Sequence, residues 1–347
     1  MNPLAKGLIT TSLIMGPLLT ISSNHWIMAW CGLEISTLSV IPLIAQQHHP
    51  RAIEAAIKYF LTQAAASTML LFSGVMNAWH LGQWDMTLLH NNTLCMLLTV
   101  ALAMKLGLAP FHLWLPEVLQ GSTMMTALLL TTWQKLAPLT ILVITSHHLN
   151  APLLLSLGLA STLIGGWGGL NQTQLRKIMA FSSIAHLGWM TAILTMSPKL
   201  TLLTFYLYCV MTITTFLMIE HLKTNKMSTI MLSWTKTPSL NTLMLLTLMS
   251  LAGLPPLTGF SPKWLILQEL TKQHMTILAT LMAMASLLSL FFYLRVSYYT
   301  TITLPPNSHN YTQQWRHKTS YTKPYLAAMA MLSTTLLPIL PALLYST

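Results

Sequence analysis

Apolar segments long enough to cross a bilayer fill almost the whole of this 347-residue chain. Charged residues make up only 7% of the sequence, whereas hydrophobic residues make up 54%. A water-soluble domain carries about 25% charged residues, so this chain has too little charge to cover a surface that faces water. Because a helix satisfies its own backbone hydrogen bonds in lipid, the expected fold is an all-α polytopic membrane protein.

A helix needs about 20 apolar residues to cross the hydrocarbon core of a bilayer. By this measure the sequence predicts eleven transmembrane helices, at 3–22, 25–45, 54–79, 92–121, 123–146, 150–170, 174–196, 199–221, 238–270, 274–299 and 324–345. The only long polar stretches between them are 222–237 and 300–323. We therefore expect one transmembrane domain over residues 1–347.

The basic residues of the predicted loops lie mostly on one side of the membrane. The side of the N-terminus receives ten of them, namely Lys6, Arg51, Arg176, Lys177, Lys223, Lys226, Lys236, Arg316, Lys318 and Lys323. The opposite side receives Lys199 and Lys272, together with Asp85. The positive-inside rule therefore places the N-terminus on the matrix or cytoplasmic side and the C-terminus across the membrane. The net charge of +11 reflects this topology, and no nucleic acid partner is expected.

Two predicted spans, 92–121 and 238–270, are too long for a straight crossing. At 1.5 Å per residue each would measure about 45–50 Å, against a hydrocarbon core of about 30 Å. Both contain helix-breaking residues near the middle, which are Gly107, Pro110, Gly253, Pro255 and Pro256. We expect each span to consist of two half-helices joined by a short break.

The two expected breaks have related sequences. LGLAPFHLWLPEVL at 106–119 aligns without gaps with AGLPPLTGFSPKWL at 252–265, and a glycine and two prolines fall in register. The breaks lie five predicted helices apart, so the second copy enters the membrane from the opposite side. This predicts two inverted five-helix repeats, 1–146 and 150–299, followed by a polar loop and a C-terminal helix in 300–347. Two unrelated proline kinks are the alternative.

Four charged residues fall well inside predicted spans, namely Glu34, Lys105, Lys135 and Lys263. The three lysines together cost about 8–10 kcal/mol on an insertion scale, so a functional or pairing role is expected. Burial disfavours the charged form of either residue type, whereas a nearby opposite charge favours it. A row of such groups can therefore pass a proton stepwise. We predict a proton or ion pathway through these four residues, with structural ion pairing as the alternative.

Three further intramembrane residues, Lys58, His112 and His186, are secondary candidates for this pathway. Histidines inside spans are also common as hydrogen-bonded packing residues, so that alternative stays open for His112 and His186. No metal site is expected, because the cysteines lie far apart and no histidine pair has ligand spacing.

Several stretches resemble one known family. WCGLEISTLSVIPL at 30–43, MKLGLAPFHLWLPEV at 104–118, RKIMAFSSIAHLGWM at 176–190 and LAGLPPLTGFSPKW at 251–264 closely resemble the antiporter-like subunits of respiratory complex I. The resemblance extends over essentially the whole chain. It implies two inverted repeats with one discontinuous helix each. The family's proton-path glutamate falls on Glu34, and its lysines of the first repeat fall on Lys105 and Lys135. The lysine or glutamate that the family carries on the second repeat's broken helix falls on Lys263.

The resemblance also implies a function, namely a proton-translocating membrane-arm subunit of NADH:ubiquinone oxidoreductase in the mitochondrial inner membrane. NADH, FMN, iron–sulfur clusters and ubiquinone would be held by other subunits, with no cofactor bound by this chain. Implied partners are the neighbouring antiporter-like chain 4, the small chain 4L, accessory subunits and lipids such as cardiolipin. Bacterial relatives have three further N-terminal helices, so lipid or accessory subunits are expected in that space here. A stand-alone cation/proton antiporter and a passive membrane scaffold subunit are the alternative functions.

Overall fold

The computed structural model describes residues 2–89, 91–233, 237–301 and 324–342. Regular structure in these ranges is helical, and the β-type pairing in them is limited to two isolated bridges, His25 with Asp85 and Gln174 with Lys226. The prediction of an all-α fold is confirmed for this part of the chain.

The described residues form fifteen α-helices in chain order. They are α1 Pro3–Ser22, α2 Trp26–Ile44, α3 Pro50–Leu81, α4 Asn92–Leu106, α5 Trp114–Gly121, α6 Met124–Thr131, α7 Trp133–Thr145, α8 Ala151–Gly169, α9 Leu175–Ile193, α10 Pro198–Leu222, α11 Met227–Ser233, α12 Pro238–Ala252, α13 Phe260–Lys272, α14 Thr276–Thr301 and α15 Pro324–Thr335. Short 3₁₀ turns follow α2 and α15, at Ala45–Gln47 and Leu337–Ile339.

Within the described ranges, seven helical stretches are long and apolar enough to cross a membrane. They are α1, α2, α3, α8, α10, α14 and the stretch Met124–Thr145, which α6 and α7 form together. Shorter apolar helices lie at Asn92–Leu106, Pro238–Ala252 and Tyr325–Thr335. The chain is therefore a multi-pass membrane protein, while the count of eleven spans stays a prediction.

Parts of the topology prediction lie outside the described residues. These are the loop cations Lys236, Arg316, Lys318 and Lys323, most of the polar stretch 300–323, and the end of the last predicted span.

Cα packing divides the chain into two compact units. Unit 1 comprises Met1–Ser161 and Met190–Pro198, and unit 2 comprises Thr162–Trp189 and Lys199–Thr347. The boundary falls inside α8 and α9, so the units do not follow the predicted repeat limits of 1–146 and 150–299, which stay predictions.

In unit 1, consecutive helices pack side by side. α1 contacts α2, α2 contacts α3, and α3 contacts both α4 and α5. α7 packs against α1, α2 and α4, which brings its residues next to the first predicted break. Hydroxyl side chains in these apolar helices bond to carbonyls of their own preceding turn, as Ser36 does to Leu33 at 2.8 Å. Such local bonds let polar residues lie in an apolar interior without unsatisfied donors.

In unit 2, α14 contacts α11, α12 and α13, and α12 also packs against α15. The Arg295 side chain of α14 donates hydrogen bonds to the carbonyls of Leu170 and Gln172, just after the end of α8. A guanidinium at a helix C-terminus satisfies carbonyls that have no partner within the helix. α14 is therefore the central packing element among the described helices of this unit.

Candidate proton-carrying site

The first overlong span is interrupted after α4. Gly107, at φ +77°, follows the last helical residue and donates from its backbone N–H to the carbonyls of Ala103 at 3.0 Å and Met104 at 3.2 Å. Leu108 N–H donates to the Ala103 carbonyl at 2.9 Å. A left-handed glycine that satisfies the final carbonyls in this way is a standard helix end. Pro110 lies in the link to α5, which begins at Trp114.

The second overlong span is interrupted in the same manner after α12. Gly253, at φ +86°, donates to the carbonyls of Met249 at 3.1 Å and Ser250 at 3.0 Å. Pro255 and Pro256 lie in the link to α13, which begins at Phe260. The aligned residues of 106–119 and 252–265 thus have the same helix ends, although their inverted orientation stays a prediction.

Lys105 lies on the last turn of α4 and is fully buried, with a side chain 1% exposed. Its Nζ lies 3.8 Å from Glu34 Oε1 of α2, which makes an ion pair too long for a direct hydrogen bond. Neither atom has a hydrogen-bond partner among the described residues. The structure therefore brings together two of the four predicted pathway residues.

Lys135 lies on the first turn of α7 and is 2% exposed. Lys105 and Lys135 line the same internal cavity of about 10 Å³ in unit 1, which is close to the space that one water molecule needs. Its other polar lining residues are Ser36, Thr37, Tyr59, Gln63, Trp114 and Gln134. A third predicted pathway residue thus lines the same cavity as Lys105.

The helix that carries Lys135 is interrupted just before it. Thr132, at φ −115° and ψ −68°, separates α6 from α7, where the sequence predicted one continuous span. Pro138, one turn later, has no N–H to donate to the Gln134 carbonyl, which further loosens this segment. The hydroxyl of Thr132 bonds to the Leu128 carbonyl at 2.8 Å. Lys135 therefore also lies at an irregular point of a span.

Lys263 lies on the first turn of α13 in unit 2 and is partly buried. Its Nζ donates a hydrogen bond of 2.8 Å to the carbonyl of Ala252, the last residue of α12. No carboxylate lies within ion-pair distance of Lys263 in the part of the chain that the structure describes. The partial negative charge of a helix C-terminus is the compensation that this ammonium receives.

Lys58 lies in a different setting from the buried lysines. Its Nζ contacts Glu54 Oε1 at 2.5 Å and Glu117 Oε2 at 2.7 Å, and the lysine side chain is 42% exposed. The residues that line the cavity between Lys105 and Lys135 do not include Lys58. The geometry thus shows a half-exposed ionic cluster, and its part in proton transfer stays a prediction.

The two histidine candidates are in dissimilar surroundings. His112 is buried in the link between α4 and α5, and its Nδ1 has no hydrogen-bond partner among the described residues. His186 of α9 lies against Tyr208, with ring centroids 5.5 Å apart. Neither position by itself assigns the residue to a pathway.

Several residues of the site were not predicted from the sequence. Gln63 and Gln134 lie in the cavity lining, and Gln134 donates to the Ser36 carbonyl at 3.1 Å. Trp114 also lines the cavity, and its indole N–H donates to the Met104 carbonyl at 3.2 Å. The two glutamines could have been predicted as site residues, because polar amide side chains, like charged ones, are unusual in the middle of apolar spans.

Potential metal ligands do not cluster among the described residues, where no group of three or more histidine, cysteine or acidic side chains forms. The cysteines, Cys31, Cys95 and Cys209, form no disulfide with one another in the described structure.

Two family descriptions cover nearly all of the chain. Residues 23–289 match the family described as NADH:quinone oxidoreductase/Mrp antiporter, TM, and residues 290–344 match the family described as NADH dehydrogenase subunit 2 C-terminus.

Solved structures share the fold. A chain of respiratory complex I from Thermus thermophilus with bound Aureothin has a TM-score of 0.85 and 26% identity, covering 96% of this chain and 79% of that one. A chain of the Mrp complex from Dietzia sp. DQ12-45-1b has a TM-score of 0.81 at 16% identity, covering 99% of this chain and 76% of that one, and shows the fold alone.

Curated relatives match over their full length. NADH-ubiquinone oxidoreductase chain 2 of Pelomedusa subrufa is 65% identical over 343 residues, which is 99% of both chains. The protein of the same name from Gallus gallus is 62% identical over 344 residues, again 99% of both chains. The chain therefore belongs to the NADH-ubiquinone oxidoreductase chain 2 family, within the NADH:quinone oxidoreductase/Mrp antiporter group of membrane proteins.

Proposed function

We propose that this chain is a proton-translocating membrane-arm subunit of NADH:ubiquinone oxidoreductase, respiratory complex I. The observation that carries the proposal is the cavity of unit 1, which Lys105 and Lys135 line together while Glu34 lies 3.8 Å from Lys105. Family membership supports it, because the relatives are named as chains of this oxidoreductase.

The buried pair gives this cavity its chemistry. Charges interact more strongly in a low-dielectric interior than in water, so a proton gained or lost by Glu34 changes the energy of the charged form of Lys105. Lys135 faces the same cavity, and one water molecule there would connect the two lysines through hydrogen bonds. We infer that protons pass along Glu34, Lys105 and Lys135, and that Lys263 continues the pathway at the second break.

Redox chemistry belongs to other subunits in this proposal. NADH, FMN, iron–sulfur clusters and ubiquinone are bound elsewhere in the complex, and this chain supplies the groups that hold and move protons. Lys58, His112 and His186 are secondary members of the pathway.

The remaining assignments follow from the same proposal. They are eleven spans in two inverted repeats, a matrix-side N-terminus and an intermembrane-space C-terminus in the mitochondrial inner membrane. The proposed partners are the antiporter-like chain 4, the small chain 4L, accessory subunits and lipids such as cardiolipin. Labelling of loop residue Lys226 from the matrix side alone would support the sidedness, whereas labelling from the other side would reverse it.

The test is the number of protons translocated per electron by the whole complex in liposomes. Lys135→Met should lower this ratio while the complex still assembles and reduces ubiquinone. Lys272→Met is the matched control, because Lys272 has a side chain 57% exposed and pairs only with Glu269 in the described structure. A normal ratio in an assembled Lys135→Met complex would favour the passive scaffold. Cation/proton exchange by the purified chain alone would favour the stand-alone antiporter.

A further inference from the structure

The side chain of Lys263 lies against Gly253, the residue that directly follows α12. A Cβ atom added to Gly253 would lie 3.0 Å from Lys263 Nζ, 3.1 Å from its Cδ and 3.3 Å from its Cε. The same lysine donates to the neighbouring Ala252 carbonyl at 2.8 Å. The outer half of the lysine therefore lies closer to Gly253 than an ordinary van der Waals contact with a Cβ would allow.

Gly107 of the first break provides a comparison. It has nearly the same backbone conformation as Gly253, with φ +77° against +86°. A Cβ there would meet Leu115 Cδ1 at 3.1 Å and Trp114 Cζ2 at 3.3 Å, both of them apolar atoms. Positive φ explains a glycine at either position. Only at Gly253 does the missing side chain also make room for a cation.

We propose that Gly253 is a positioning residue, which seats the Lys263 ammonium on the Ala252 carbonyl at the C-terminal end of α12. The inference rests on the proposed proton-carrying role of Lys263. Three successive atoms of the lysine lie 3.0–3.3 Å from the position of that Cβ, so a methyl group there must push the outer side chain away by a few tenths of an ångström. A shift of this size lengthens the hydrogen bond to the Ala252 carbonyl and moves the ammonium away from the negative end of the helix.

The test compares Gly253→Ala, Gly82→Ala and Lys263→Met in the complete complex reconstituted in liposomes. Gly82 follows α3 at φ +71°, and a Cβ there would meet nothing within 4 Å, so Gly82→Ala adds backbone strain without touching a lysine or the cavity. Protons translocated per electron should fall in Gly253→Ala, by less than in Lys263→Met, and should stay at the wild-type value in Gly82→Ala. The pH profile of proton transport should shift in Gly253→Ala but not in Gly82→Ala.

The double variant Gly253→Ala/Lys263→Met separates positioning from a merely structural effect. Its proton ratio should equal that of Lys263→Met, because the glycine acts through the lysine. A normal ratio in Gly253→Ala together with a low one in Lys263→Met would overturn the positioning role. A normal ratio in Lys263→Met would instead overturn the role of Lys263 in the proposed function.

Asparagine variants keep the test decisive if alanine prevents assembly. Asparagine also adds a Cβ but adopts positive φ more readily than alanine. Gly253→Asn should therefore lower the proton ratio in an assembled complex, and Gly82→Asn should leave it unchanged. An unchanged ratio in Gly253→Asn would overturn the proposal.

Discussion

The two helix breaks share a backbone and differ in where they hold a lysine. Each begins with a glycine at positive φ that satisfies the final carbonyls of a half-helix. At the first break the lysine precedes that glycine, as Lys105, whereas at the second it follows the link, as Lys263. In the gap-free alignment, Lys105 corresponds to Leu251 and Lys263 to Glu117. The two breaks thus share the same backbone structure, and the position of the lysine relative to the glycine differs between them.

The counter-groups differ as well. Lys105 lies beside the carboxylate of Glu34, which can itself gain or lose a proton. Lys263 lies on a backbone carbonyl, which cannot. A broken helix can thus stabilise a cation in the membrane interior in either of two ways, with a carboxylate from a neighbouring helix or with the carbonyls at its own C-terminal end.

The largest expected effect comes from Gly259, which has no counterpart at the first break. A Cβ at this residue would lie 1.7 Å from the Ser250 carbonyl oxygen, so Gly259→Ala forces the link away from α12. We expect a cost of about 3 kcal/mol or more and almost no assembled complex on a native gel. The aligned residue is Leu113, which is 69% exposed, so Leu113→Ala should assemble normally. Normal assembly of Gly259→Ala would refute the close packing of the second break.

Next in size is Glu34→Gln, which removes the carboxylate from the first break. An unpaired lysine would then remain buried, at a cost of about 3–5 kcal/mol. We expect a several-fold loss of assembled complex and a lower proton ratio in what remains. Glu269→Gln is the control in the helix after the second break, because its partner Lys272 has a side chain 57% exposed, which water can solvate without the carboxylate, so this pair contributes at most about 1 kcal/mol. Equal effects of the two substitutions would contradict the distinction between the breaks.

The smallest effect is expected for Trp114→Phe, which makes the first break resemble the second, where Phe260 occupies the aligned position. The substitution removes the indole donor to the Met104 carbonyl but keeps an aromatic ring beside Tyr59. Met104 still accepts from Gly107, so the cost should be about 0.5 kcal/mol. The midpoint of thermal inactivation should fall slightly with an unchanged proton ratio. A large fall in the ratio would instead give the indole a part in transport.

The length of the apolar segments and the positions of glycine and proline were sufficient to predict much of the fold. The first predicted span, 3–22, coincides with α1, and the glycines predicted to break two long spans lie at helix ends. These features are local, because a positive-φ glycine and a proline act on their own segment of backbone. An ion pair between Glu34 and one of the buried lysines could also be anticipated, since few carboxylates occur inside the spans.

Contacts between segments that are far apart in the sequence were harder to predict. The pairing of Lys58 with Glu117 and the cavity beside Lys135 depend on how helices far apart in sequence pack. The hydrogen bond from Lys263 to the Ala252 carbonyl could not be predicted from the sequence, because every residue has a backbone carbonyl and residue types do not show which one accepts. The interruption at Thr132 was also not predicted, because serine and threonine hydroxyls bond to carbonyls of their preceding turn in uninterrupted helices as well, as Ser36 does in α2.

Proton transport through the buried charges is tested most directly by the double variant Glu34→Gln/Lys105→Met. The quantity to measure is the number of protons translocated per electron by the assembled complex. Removal of both partners leaves no unpaired buried charge, so assembly should recover well above the level of Glu34→Gln alone. NADH oxidation by ubiquinone should continue, and fewer protons should be translocated per electron than in the wild type. A wild-type ratio in the assembled double variant would contradict the claim that this chain moves protons through its buried charges.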